Sequence, residues 1–184
     1  MPWYAGQRVT AAALNASSPE LIQAVSIAVT TASVTISIPT GYNRIEVFWR
    51  ARMSDAVAAE QLYLRMNGDT SAHYLWEVNQ ANNTTVAATT SGAAVAQIQI
   101  ATVTGNSATA LYFGAGSFTI DGASDAVNYK TMQGTSAAFG TTTNMWAGVY
   151  SGQWLSAAVV TSITLFGATG SFLAGSNVTA YGLS

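Results

Sequence analysis

Apolar and polar side chains alternate along most of this chain, and a period of two predicts strands. In a segment running from Val29, Val34, Ile36 and Ile38 fall on one face, Thr35 and Ser37 on the other, and Pro39-Thr40-Gly41 ends the run. Ile45, Val47, Trp49, Ala51 and Met53 share a face opposite Arg44, Glu46, Phe48, Arg50 and Arg52. Leu62, Leu64 and Met66 alternate against Gln61, Tyr63 and Arg65. Asn67-Gly68-Asp69 follows. Asn-Gly accepts positive φ, so this reads as a hairpin turn, with a return strand that begins Tyr74, Trp76, Val78.

The same period predicts strands over residues 95–103, 111–113, 118–120, 127–132, 145–150, 158–166 and 177–181, most of them separated by Gly or Asn clusters. Residues 81–92 are rich in Asn, Thr and Ala and read as a loop or weak edge strand. After Pro19 no long 3.6-residue period occurs, and residues 56–61 have room for one helical turn at most. Short strands at this spacing predict an all-β, antiparallel sandwich or barrel. The expected division is an N-terminal docking arm, residues 1–19, and a single β-sandwich domain, residues 20–184. In the arm, Thr10 is placed to cap one turn ending near Leu14, and Ser17-Ser18-Pro19 breaks it. One turn cannot stand alone in water, so it needs a surface to lie on.

Charge changes the picture most. Asp, Glu, Lys and Arg make up 8% of the 184 residues, against about 25% in an ordinary globular domain. With six basic and eight acidic residues, a surface of roughly 8,400 Å² carries one charge per roughly 600 Å². Such a surface is poorly suited to a free monomer, and much of it is expected to be covered by copies of the chain or by a neighbour. The net charge of −2 does not fit a basic nucleic-acid binder. There is no Cys, which fits folding in a reducing cytoplasm. The first residues lack a signal-peptide pattern, and no run of about 18 apolar residues predicts a membrane span.

The supply of catalytic groups is thin. His73 is the only histidine, no Gly-x-Ser-x-Gly elbow occurs, and one His without Cys leaves too few ligands for zinc. An Asp69–His73 contact is expected as a turn contact or a subunit contact. Asp55, Glu60, Asp69, Glu77, Asp121 and Asp125 offer candidate carboxylate pairs for glycoside cleavage, with a separation that spacing does not reveal. Asp121-Gly122-Ala123-Ser124-Asp125 reads as a turn rather than a Ca²⁺ loop, since EF-hand spacing is missing. No phosphate-cradling Gly-Lys motif is present. The expectation is a protein that is not an enzyme, with no catalytic, cofactor or metal residues. Arg50, Arg52 and Arg65 are candidate interface arginines, Arg65 standing opposite Arg50 or Glu46. Trp49 and Trp76 read as core. Trp146 and Trp154 flank a glycine-containing stretch that reads as a hairpin. With Tyr150, they are candidate receptor contacts at an exposed tip.

Four phrases, in order, resemble tailed-bacteriophage virion structural proteins. They are Tyr4-Ala5-Gly6-Gln7-Arg8-Val9-Thr10-Ala11-Ala12-Ala13-Leu14-Asn15, Trp49-Arg50-Ala51-Arg52, Leu64-Arg65-Met66-Asn67-Gly68-Asp69-Thr70 with Tyr74, and the ending from Phe172 to Leu183. His73 stands where such proteins are expected to have Asn or a similar polar residue. The resemblance implies a jelly-roll-like sandwich that assembles as a homo-oligomer, expected to be a trimer, in the virion. It implies a capsid decoration protein that stabilises the particle, bound to the major capsid protein or other virion proteins. No nucleic acid, membrane or cofactor is expected. Trp3, Tyr4, Arg8, Val9 and Leu14 are the expected docking residues of the arm. The alternative is a tail or tail-fibre module that binds a host receptor or glycan. A polysaccharide-cleaving tail enzyme is the third expectation.

Overall fold

The computed structural model describes residues 18–184. The described residues form strands and turns, with no helix. In chain order the strands are β1 (Glu20–Ser26), β2 (Ser33–Ser37), β3 (Arg44–Ala51), β4 (Ala59–Met66), β5 (Tyr74–Asn82), β6 (Thr85–Thr90), β7 (Ile98–Thr104), β8 (Gly114–Asp121), β9 (Lys130–Thr141), β10 (Asn144–Trp154), β11 (Ser162–Gly167) and β12 (Asn177–Leu183). They pair antiparallel in two packed sheets, a β-sandwich. The larger has eight strands, ordered β1-β12-β3-β8-β9-β10-β5-β6, and the smaller has four, ordered β2-β11-β4-β7.

The alternation places the core as expected. Ile45, Val47, Trp49 and Ala51 on β3, with Met53 just beyond it, are buried against Leu62, Leu64 and Met66 of β4. Each large apolar side chain buried here contributes about 1.5–3 kcal/mol. Val34 and Ile36 of β2 join them, as does Ile38. The strand starts at Ser33 rather than Val29, which lies exposed.

β7 is the edge of the small sheet, yet all seven of its residues are buried. The large sheet covers it with side chains. The Thr102 amide donates to the Tyr150 hydroxyl at 2.9 Å and the Ser136 hydroxyl at 3.3 Å. Tyr150 donates in turn to Gln80 Oε1 at 2.9 Å. A buried amide left without a partner costs about 1–3 kcal/mol, so this cover matters.

Two local expectations are corrected, the hairpin at Asn67-Gly68 and the strand over 111–113. Asn67 and Gly68 do take positive φ, 53° and 65°. They do not close a hairpin: β4 pairs with β7 and β11, and β5 pairs with β10 and β6. Both edges of β4 are occupied, so the turn carries the chain across to the other sheet. Asn67 is held there by its side chain, which accepts the Thr161 and Ser162 amides and donates to the Val159 carbonyl. Residues 81–92 hold the turn of the β5–β6 hairpin and its edge strand β6, in line with the edge-strand reading. Residues 111–113 are a turn, with Leu111 at φ 72° and exposed. Residues 56–61 enter β4 without a helical turn.

Glycines inside the large sheet make room for rings. A Cβ on Gly116 would lie 2.5 Å from the Trp49 indole, and one on Gly148 would lie 2.9 Å from the Tyr150 ring. Gly116→Ala is expected to destabilise the fold by about 1–3 kcal/mol through overpacking. The loss is read as a lowered urea midpoint at unchanged slope.

Candidate functional site

The large sheet continues through β5 and β6 past the edge of β7, and a groove lies between them. Its floor comes from β4 and β7, through Gln61, Tyr63, Gln99 and Thr102. Its wall is the inward face of the β5–β6 hairpin, with Trp76 and Gln80. The volume of this part is about 180 Å³. Gln61, Gln80 and Thr102 also line an adjoining hollow of about 330 Å³, which Trp146, Asp55 and Glu60 close off.

Several polar groups in the groove are held by the protein on one side only. Gln80 Oε1 accepts the hydroxyls of Tyr150 and Thr102. Gln61 Oε1 accepts the Tyr63 hydroxyl at 2.7 Å. Gln99 is 5% exposed, and its side chain finds no partner among the described residues. Glu60, also 5% exposed, accepts the amides of Thr169 and Gly170 through Oε1, while Oε2 has no hydrogen-bond partner. Asp55 accepts the Thr169 hydroxyl at 2.6 Å, so Thr169 draws the two carboxylates together. The arrangement offers aromatic rings, amides and carboxylate oxygens with no cation among the lining residues.

The proposed exposed tip is corrected. β10 is one unbroken strand, and even spacing puts Trp146, Tyr150 and Trp154 on its inward face. Tyr150 and Trp154 are buried core, and Trp146 alone of the three reaches the groove. Gly148 and Gly152 imitate turn signals but serve close packing. Trp49 is core as expected, and Trp76 packs on the core while lining the groove.

The arginines are spread over both sheets. Arg50 stays exposed and stacks over Phe113 at 3.8 Å. Arg52 turns inward and donates to the carbonyls of Asn106, Ala108 and Thr109, tying down the loop before β8. That removes it as an interface arginine. Arg65 faces neither Arg50 nor Glu46, because β4 lies in the other sheet. It donates to the Ala96 carbonyl and Gln97 Oε1 and sits over Phe166. Trp3, Tyr4, Arg8, Val9 and Leu14 lie outside the described residues.

Asp125 and Asp69 are satisfied locally. Asp125 accepts the Asn128 side chain and the Asn128 and Val127 amides, which hold its carboxyl down at about 2. The buried Lys130 ammonium donates to the Asp125 and Asn128 carbonyls. Among the described residues no group of three His, Asp or Glu side chains forms a metal site. Asp69 and His73 do meet, at 2.8 Å, and Trp154 donates to the same Asp69 oxygen at 2.8 Å.

No protein-family model, curated protein or solved structure matches this chain.

Burial alone would raise the Asp69 carboxyl, but Trp154, the Ser71 amide and His73 together outweigh it and hold it at about 2. Its stabilising effect is therefore full above the ordinary value near 3.8 and is lost as pH falls through about 2. Asp69→Asn is expected to lower the urea midpoint at neutral pH. The gap from the wild type should close on acidification toward pH 2.

Proposed function

We propose that this protein is a structural component that works by being built into a larger assembly through the outer face of its eight-stranded sheet. The observation that carries this is the uncharged middle of that face, across β9 and β10. One row across the sheet reads Val86, Ala81, Ala147, Ala137, Ala115 over five strands and ends on the exposed Arg50 of β3. The next reads Ala88, Asn79, Val149, Thr135, Ser117, and ends on the exposed ring of Phe48. β9 and β10 place no charged side chain on it. Charges lie toward its margins: Arg44 pairs with Glu46 and Asp121 at one corner, Arg50 stands exposed on β3, and Glu77 is exposed on β5.

Small uncharged side chains on a broad pleated surface allow close approach of a second such surface with little desolvation cost. Five strands about 4.8 Å apart, each about eight residues long, span roughly 600 Å². That is close to the about 800 Å² that each partner of a standard interface contributes. The occupant that fits is a second copy of the chain, since an uncharged face matches another uncharged face. The resemblance to tailed-phage virion proteins supports placing the assembly in a phage particle, as a capsid decoration protein that forms a trimer on the shell.

Sedimentation tests this. The purified chain is expected to sediment as an oligomer, and Val149→Glu, which puts a charge at the centre of the face, to return it to a monomer with unchanged circular dichroism. A wild-type chain that remains monomeric at its highest soluble concentration would overturn the reading.

A further inference from the structure

We infer that the groove between the β5–β6 hairpin and the β4–β7 edge binds a neutral oligosaccharide. It lies on the inward side of the large sheet, away from the uncharged outer face, and does not depend on assembly.

Polar groups that line the groove have hydrogen-bonding capacity left for a ligand. Gln99 lines the floor, and its amide has no partner among the described residues. Gln80 and Gln61 each use their oxygen within the protein and leave the amide NH₂ to the groove. Asp55 and Glu60 line the adjoining hollow, where Glu60 Oε2 lies sealed against Gly170. An amide both donates and accepts, and a carboxylate accepts, which suits hydroxyl groups that do both.

The aromatic content narrows the class. Trp76 and Trp146 stand at the two ends of the groove, with Tyr63 on its floor. Flat rings beside amides fit a ligand with apolar C–H faces and a polar rim, as sugar rings have. Trp146 pairs with Asn82, six residues along β5 from Trp76. At about 3.3 Å per residue the groove runs about 20 Å, room for more than one sugar ring. The hollow near Glu60, about 330 Å³, is of the size of small-molecule sites, which begin near 300 Å³.

Charge excludes the competitors. No Lys or Arg lines the groove, so a nucleic acid or phosphate ligand lacks its counter-charge. Asp55 and Glu60 repel uronic and sialic acids.

The test is a glycan array carrying neutral oligosaccharides of glucose, galactose, mannose and N-acetylglucosamine beside sialylated and uronic-acid ones. Neutral glycans are expected to be retained and acidic ones not. Titration with the best-retained soluble oligosaccharide should show a loss of about tenfold or more in Gln99→Leu, which keeps the volume and removes the amide. Gln61→Ala, at an exposed position that folding does not need, should weaken binding as well. Val149→Glu should bind as the wild type does, which separates this result from the assembly reading. Retention of no neutral glycan, retention of acidic glycans alone, or unchanged binding in both glutamine variants would overturn the proposal.

Discussion

The closure of the β7 edge is the constraint on which the rest of the molecule turns. A four-stranded sheet has two edges, and an open one exposes a row of unpaired amides and carbonyls. Here the larger sheet wraps past β7, and Tyr150 and Ser136 accept the Thr102 amide that a neighbouring strand would otherwise take, while Gln80 accepts the Tyr150 and Thr102 hydroxyls. Thr104 plays the reverse part, its hydroxyl accepting the Phe139 amide from β9. The sandwich is therefore locked by side chain to backbone bonds as well as by its apolar core.

That closure also makes the groove. Because β7 is capped by side chains and not by another strand, β5 and β6 overhang it with their inward face only partly filled. Trp76, Gln80 and Trp146 sit on this overhang, and Gln61 and Gln99 face them from the small sheet. The outer face of the same large sheet differs, with small uncharged residues across its middle and charges toward its margins. One sheet thus presents an uncharged central surface suited to a second copy and an inner rim suited to a small polar ligand.

The strands that form the core were legible from alternation, because the pleat turns every second side chain to the same side whatever pairs with it. Ile45 to Met53 and Leu62 to Met66 show this directly. Trp146, Tyr150 and Trp154 are spaced by fours, which on one continuous strand puts all three on one face and not at a tip. Gly148 and Gly152 drew attention as turn residues, while their role is to let Tyr150 and Ile98 come close. Gln80 and Gln99 carried no local mark as site residues. Their importance comes from lying in different sheets and meeting only after folding.

Sequence by itself determined the strand class, the inward faces, the left-handed turn at Asn67-Gly68 and the scarcity of charge. These are local or compositional properties, set by side-chain period and backbone sterics. Tertiary structure decided which strands pair, sending β4 and β5 to opposite sheets, turning Arg52 inward and drawing Asp55 to Glu60. Those outcomes rest on contacts between residues far apart in the chain. A strand edge accepts any partner that satisfies its hydrogen bonds, and only the packing of all twelve strands selects among them.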